Sequence, residues 1–146
     1  MACSFVFAAA IINVSFENGG RQVYELTVKT SFSAAHCLTD HPSPCGRLHG
    51  HNWTVAVTVA GRKLDGSGML VDFRVLKRAL QESVEPFDHR YLNELPPFSG
   101  GIEPTAENIA SRIFQTVAEK LSGYPDVRVT AVKVAESPSA WVVYRP

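Results

Sequence analysis

The stretch from Cys45 to Val59, "CGRLHGHNWTVAVTV", limits the fold more than any other part of the sequence. From His49 onward apolar and polar side chains alternate, which predicts a β-strand with one buried face. That face carries, in order, His49, His51, Trp53, Val55, Val57 and Val59. Side chains two residues apart on a strand share a face and lie roughly 6–7 Å apart. His49 and His51 can therefore bind the same metal ion.

A preceding strand can supply a third imidazole. Alternation from Val23 predicts this strand, with an apolar face formed by Tyr24, Leu26, Val28 and Phe32. His36 follows at its end and joins the other two histidines if the strands pair as a hairpin. Three histidines without a fourth protein ligand are typical of a catalytic zinc site with an open position. His41, in the following loop, is the alternative third ligand, whereas Cys37 should face the other way as a small buried side chain.

The composition indicates one globular domain. The 146 residues contain 14 Lys and Arg against 14 Asp and Glu, and this balance argues against a nucleic-acid or membrane-surface role. The three cysteines form no plausible disulfide framework, so we expect a cytoplasmic protein. We expect residues 1–21 to be an N-terminal extension without a targeting role, because no basic residue precedes its apolar run. Residues 22–146 should form a single domain.

Two helices are predicted between two pairs of strands. The first follows the apolar spacing of Met69, Phe73, Leu76, Leu80 and Val84 and ends near Pro86. The second begins at the N-cap Thr105 and has a buried stripe formed by Ile109, Ile113, Val117 and Leu121. Strands over Val127–Glu136 and Trp141–Tyr144 follow. This order predicts an α+β fold in which helices cover one face of an antiparallel sheet.

Further residues have the chemistry of acids and bases. Cys45 lies in a loop just before the histidine strand, where a nearby metal or histidine would favour its thiolate; the alternative is an idle thiol. His89 follows Asp88 in "FDHRYLN", and a carboxylate near a histidine can raise its basicity. The alternative is an ordinary polar loop, and Asp88 can also serve a separate partner.

Glu136 ends a strand whose inward side chains are Thr130, Val132 and Val134. A carboxylate in that position either reaches solvent at the strand end or is buried for a purpose. Because a buried carboxylate is costly without a partner, a planar ligand with two parallel N–H donors would suit it.

Six motifs together carry a family likeness. "FSAAH", "CGRLHGH", "GMLVDF", "FDHRYLNE", "PTAEN" and "AES" occur in this order, and the sequence from Tyr24 to Tyr144 resembles the 6-pyruvoyltetrahydropterin synthase/QueD family. The resemblance implies the tunnelling fold, a four-stranded antiparallel sheet with two helices between strands 2 and 3, packed on one face. It also implies a homohexamer, a dimer of trimers, with active sites between subunits.

The resemblance also implies roles for individual residues. The zinc ligands would be His36, His49 and His51. Cys45 would be the catalytic base, and Asp88 with His89 would complete the proton-transfer group.

Other residues are candidates for substrate contacts. By the same resemblance, Glu136 would hold the 2-amino and N3 hydrogens of a pterin ring, with Thr105 nearby. Arg47 and Arg90 flank the reacting groups and are candidates for a triphosphate, with simple surface solvation as the alternative.

The spacing of the cysteine distinguishes two branches of this family. Cys-x-x-x-His-Gly-His is similar to the branch that forms 6-carboxy-5,6,7,8-tetrahydropterin, acetaldehyde and triphosphate from 7,8-dihydroneopterin triphosphate, a step in queuosine biosynthesis. In the 6-pyruvoyltetrahydropterin-forming branch, which is the alternative, the cysteine lies further away. One departure is Ser137, where the family often has threonine. A zinc- and pterin-binding module without turnover is a further alternative, and it would tolerate loss of Cys45 and His89.

Overall fold

A computed structural model describes residues 22–39 and 41–146, so the expectation for residues 1–21 lies outside the described part of the chain. The strands and helices follow in this order: β1 Tyr24–His36, β2 His49–Gly61, α1 Phe73–Val84, β3 Arg90–Tyr91, α2 Ala106–Lys120, β4 Arg128–Ser137 and β5 Ala140–Tyr144. The predicted α+β class is confirmed, with both helices between the two pairs of long strands.

The sheet contains one strand more than predicted. Its order is β3-β1-β2-β4-β5, and the four predicted strands pair antiparallel. The additional strand, β3, pairs parallel to β1, with Ala34 opposite Arg90 and Ala35 opposite Tyr91. Two residues are too few to produce an alternating pattern, which is why the sequence does not reveal β3.

The predicted hairpin of β1 and β2 is confirmed along its whole length. Its register runs from Tyr24 opposite Gly61 to His36 opposite His49. The inward alternation is confirmed for Val28, Phe32 and the valines of β2, which are buried, whereas Tyr24 at the start of β1 is 40% exposed. The two strands therefore place His36, His49 and His51 on the inward face of the sheet, at the same end of the hairpin.

The first helix begins later than its spacing predicts. Asp72 is the N-cap and accepts a hydrogen bond from the backbone N–H of Arg74 at 2.7 Å, so the helix begins at Phe73. Met69 and Phe73, predicted to face the core, are 42% and 50% exposed. The buried residues of α1 are Leu76, Ala79, Leu80, Ser83 and Val84. The second helix follows its prediction, with Thr105 as N-cap.

The hydrophobic core lies between the helices and one face of the sheet and ends at Trp53. The Trp53 indole is fully buried and stacks on Phe32, with ring centroids 6.1 Å apart. Its Nε1–H donates to the Ala34 carbonyl at 3.3 Å. The histidines lie directly beyond this ring, at the edge of the core. None of the helices in the described part of the chain is long and apolar enough to cross a membrane.

Candidate metal centre and surrounding site

Three histidine side chains converge at the end of the β1–β2 hairpin. One potential ligand nitrogen from each of His36, His49 and His51 lies within 4.8 Å of those of the other two. The ring centroids are 4.5 Å apart for His36 and His49, 5.2 Å for His36 and His51, and 4.9 Å for His49 and His51. This group could hold a metal ion.

Backbone carbonyls orient two of the three imidazoles. The Nδ1–H of His36 donates to the Pro104 carbonyl at 2.8 Å, and the Nδ1–H of His49 donates to the Arg47 carbonyl at 2.7 Å. When Nδ1 carries the proton, the Nε2 lone pair is free to bind a metal. The Nε2 atoms of His36 and His51 are buried and have no hydrogen-bond partner among the described residues. Unpartnered buried nitrogens that converge in this way fit a metal ion.

Burial favours the neutral form of two of the three imidazoles. It lowers the pKa of His36 and of His51 below the ordinary 6.5, and the neighbouring His49 lowers both further. The hydrogen bond to Pro104 and the negative charge of Glu136 oppose this shift at His36. Neutral imidazole is the form that ligates metals, so the environment favours the ligating state.

The competing ligands lie elsewhere. Within the described ranges, no cysteine, aspartate or glutamate joins the three histidines in a metal-binding group. His41 is exposed, and its Nδ1 lies 2.8 Å from the Ser43 hydroxyl. Cys37 is half-buried rather than buried, and its Sγ lies 3.0 Å from the Tyr91 hydroxyl. That hydrogen bond is the main cause that raises the pKa of Tyr91 to about 12.

Cys45 lies on a single 3-10 turn, Pro44–Gly46, and is exposed. Its backbone N–H donates to the Ser43 hydroxyl at 3.2 Å. Its carbonyl accepts from the Leu38 N–H at 2.9 Å, which ties the turn to the chain just after β1. The structure thus brings the backbone of Cys45 next to the chain that follows β1 but leaves its thiol outside the histidine group.

Asp88 and His89 are attached to the outer edge of β1. Asp88 Oδ1 accepts from the Ser33 N–H at 2.9 Å, and the His89 N–H donates to the Ser33 carbonyl. The first of these bonds is the main cause that lowers the pKa of Asp88. Oδ1 also lies 3.0 Å from His89 Nδ1, so the carboxylate serves both a separate partner and its own neighbour. His89 has a φ of 57°, in the left-handed region.

Two open grooves meet at His51. One, over β1 and β2, is lined by Ser33, His51, His89 and Arg90 among others. The other, over β2 and β4, measures about 660 Å³ and is lined by His51, Lys133, Glu136 and Trp141 among others. The half-buried Glu136 and the 81% exposed side chain of His89 therefore line two different grooves, each of which includes His51.

The other predicted site residues, Thr105, Arg47 and Arg90, make fewer contacts near the histidine cluster. Thr105 is half-buried, caps α2 and directly follows Pro104, the partner of His36. The side chains of Arg47 and Arg90 are exposed and form no ion pair within the described part of the chain. Only Arg90 of the two lines a groove at the cluster.

Sequence reasoning missed several residues around the site. The ring of Trp53, predicted only as core, packs 5.1 Å from His36 and 5.0 Å from His51. Pro104 and Asn93 occur inside the motifs "PTAEN" and "FDHRYLNE" but had no assigned role. Lys133 lies over the Trp141 ring, 3.9 Å from its centroid. The motifs were the only signal that could have drawn attention to Pro104 and Asn93.

Comparison with known proteins gives a consistent result. The family model for 6-pyruvoyl tetrahydropterin synthase matches residues 25–146. The chain is 38% identical over 129 residues to the 6-carboxy-5,6,7,8-tetrahydropterin synthase of Bacillus subtilis, covering 84% of this chain and 86% of the relative. It is 42% identical over 113 residues to the protein of the same name from Synechocystis, covering 73% and 81%.

A solved structure shares the fold. The 6-pyruvoyl tetrahydropterin synthase of Caenorhabditis elegans superimposes with a TM-score of 0.74 at 26% sequence identity. The match covers 86% of this chain and 96% of the other.

Proposed function

Because the chain belongs to the 6-pyruvoyl tetrahydropterin synthase family, we propose that it is a zinc-dependent lyase acting on 7,8-dihydroneopterin triphosphate. The products are 6-carboxy-5,6,7,8-tetrahydropterin, acetaldehyde and triphosphate, with one water consumed, as in queuosine biosynthesis. The observation that carries the proposal is the cluster of His36, His49 and His51, with two buried, unpartnered Nε2 atoms. Three imidazoles without a further protein ligand suit a catalytic zinc.

The choice of product is supported by two observations. The relatives from Bacillus subtilis and Synechocystis are named 6-carboxy-5,6,7,8-tetrahydropterin synthase. The spacing of Cys45 from His49 matches the same branch. Formation of 6-pyruvoyltetrahydropterin is the second candidate, since the Caenorhabditis elegans structure has that name.

Proton transfer is assigned to Cys45, Asp88 and His89. Zinc, when bound by the three histidines, supplies Lewis-acid chemistry that makes nearby C–H and O–H protons easier to remove. The Cys45 thiolate takes a proton from the side-chain carbon next to the ring, and His89 returns or removes one elsewhere. Asp88, held by the Ser33 N–H, lies 3.0 Å from His89 Nδ1 and orients the imidazole ring.

Substrate recognition is assigned to the groove over β2 and β4. The carboxylate of Glu136 accepts hydrogen bonds from the 2-amino and N3 hydrogens of the pterin, which are two parallel donors. His51 and Glu136 line the same groove, which supports this assignment. A pterin ring held at Glu136 can direct the side chain of the substrate toward the histidines. Thr105 and the guanidinium groups of Arg47 and Arg90 are proposed as further contacts, the latter two to the triphosphate.

We also propose that the active enzyme is a cytoplasmic homohexamer with sites between subunits. The exposure of Cys45 and His89 in the single chain supports this, because both would be covered by a neighbouring subunit. The sheet also has two edge strands, β3 and β5, and edge strands are a common place of pairing between chains. Light scattering should give a mass near six chains, whereas a stable and active monomer would contradict the assembly.

The experiment that tests the function is a product analysis. Zinc-loaded protein is incubated with 7,8-dihydroneopterin triphosphate, and the pterin products, acetaldehyde and triphosphate are identified by mass. The 6-carboxy product together with acetaldehyde supports the proposal, and the 6-pyruvoyl product without acetaldehyde supports the second candidate. Binding of the substrate without any product would indicate a binding module instead.

A further inference from the structure

We infer that Asn93 is a positioning residue for the metal centre, which it serves by holding the backbone next to His36. Its side-chain amide makes two hydrogen bonds to one residue, Cys37. Oδ1 accepts from the Cys37 N–H at 3.0 Å, and Nδ2 donates to the Cys37 carbonyl at 2.8 Å. This inference deepens the proposed function and rests on its metal site.

The contact between Asn93 and Cys37 lies directly beyond the ends of both strand ladders of β1. The ladder between β1 and β2 ends with His36 opposite His49, and the parallel ladder between β1 and β3 ends with Ala35 opposite Tyr91. Cys37 is therefore the first residue that neither ladder holds. The Asn93 amide presents one acceptor and one donor, as a strand backbone does, and so continues the pairing by one residue.

The two hydrogen bonds between Asn93 and Cys37, called the clamp below, also restrain His36, because they fix the backbone of the next residue. The imidazole itself is held by one hydrogen bond, from Nδ1 to the Pro104 carbonyl. Without the clamp, the chain after β1 could pivot at His36 and move the ring away from His49 and His51. Groups that orient metal ligands typically affect metal affinity 10–100-fold.

The clamp also connects the metal cluster with the acid–base residues. The segment that contains Asn93 begins at Asp88 and His89, which bind the backbone of Ser33. Hydrogen bonds from this segment thus hold the chain at Ser33, near the end of β1, and at Cys37, directly after it. Beyond Cys37, the Leu38 N–H donates to the carbonyl of Cys45. The Asn93 side chain therefore fixes the backbone at the point where the chain leaves β1 and enters the loop that contains Cys45.

The test measures zinc affinity of the whole chain, by competition with a chromogenic chelator, for the wild type and three variants of Asn93. Asn93→Asp keeps the shape and the acceptor but loses the donor to the Cys37 carbonyl, and Asn93→Leu loses both. Both should bind zinc roughly 10–100-fold more weakly. Asn93→Gln keeps both groups one methylene further out and should recover part of the affinity.

A matched control separates positioning from general stability. Val117 is fully buried in the core near the end of α2. Val117→Ala leaves a cavity there, so it should lower the melting temperature and leave zinc affinity unchanged. Visible absorption of the Co²⁺-substituted proteins gives an independent readout, and the bands should change only in the Asn93 variants.

The outcomes are distinguishable. If the wild type binds zinc and folded Asn93→Asp and Asn93→Leu bind it equally well, with unchanged Co²⁺ bands, the inference is overturned while the proposed function stands. If the wild type itself binds no zinc, both are overturned. Should Asn93→Leu fail to fold, Asn93→Asp and Asn93→Gln give the same comparison.

Discussion

His36 and His49 lie directly opposite each other at the last position of the β1–β2 ladder, with ring centroids 4.5 Å apart. Each imidazole donates its Nδ1–H to a carbonyl, that of Pro104 or that of Arg47. Two loop carbonyls thus orient both rings. A site of this kind loses little conformational freedom when a metal binds, because its ligands are already in position.

Removal of one of these rings should abolish metal binding. His49→Ala is expected to reduce zinc from about one per chain to a small fraction, because two imidazoles hold zinc poorly. The matched control is His41→Ala, which removes an exposed histidine outside the cluster and should leave zinc content unchanged. Atomic absorption on the purified proteins gives the answer. Equal zinc in His49→Ala and the wild type would show that the ligand set is wrong.

Cys45→Ala should separate catalysis from metal binding. The thiol lies outside the histidine group, so fold, assembly and zinc content should be retained. Turnover should fall by roughly 10²–10⁴, the usual contribution of a positioned base. Steady-state rates and zinc content are measured together on each protein.

Cys37→Ser is the control for Cys45→Ala. A hydroxyl at position 37 can keep the contact with Tyr91 and the backbone bonds to Asn93, so turnover should stay near that of the wild type. Loss of zinc in Cys45→Ala would instead make Cys45 a ligand, and full activity would place the base elsewhere, with His89 as the next candidate.

Glu136→Gln should weaken binding of the pterin and leave zinc in place. The amide replaces one of two acceptor oxygens by a donor that faces ring N–H groups. Since hydrogen bonds to charged groups contribute about 1.5–3 kcal/mol, KM should rise roughly ten- to a hundredfold. Glu119→Gln, an exposed change on α2, is the control and should leave KM unchanged. Identical kinetic constants for the two variants would remove Glu136 from the substrate site.

Asp88 should make stability depend on pH in the acid range. Because the Ser33 N–H lowers its folded-state pKa below the ordinary 3.8, its stabilising effect is complete above 3.8 and is lost as the pH falls through the lower folded-state value. Asp88→Ala should therefore melt at a lower temperature than the wild type at neutral pH, and the difference should shrink below pH 3.8. Asp88→Asn keeps an acceptor for Ser33 but does not titrate.

Calorimetry of the three proteins across this range checks the prediction. The difference between Asp88→Asn and Asp88→Ala should vary little with pH, because neither side chain ionises. A pH-independent gap between the wild type and Asp88→Ala would show that ionised Asp88 does not stabilise the fold through Ser33.

Much of the scaffold could be predicted from the sequence because its long elements have regular periods. Alternation identified β1 and β2, and the position of His36, His49 and His51 on the inward face followed from it. The capping residue Thr105 similarly marked the start of α2. These features depend on local geometry, which repeats every two or 3.6 residues and is therefore visible in the order of side chains.

The tertiary structure alone decided how the irregular segments meet the histidine cluster. The parallel pairing of β3 with β1, the Asn93 contact with Cys37 and the bond from His36 to Pro104 join residues 56 to 68 positions apart. None has a period, and each depends on the path of a loop between distant elements. The sequence by itself thus determined which side chains could bind a metal. Long-range backbone contacts, which local patterns do not encode, determined how those side chains are held.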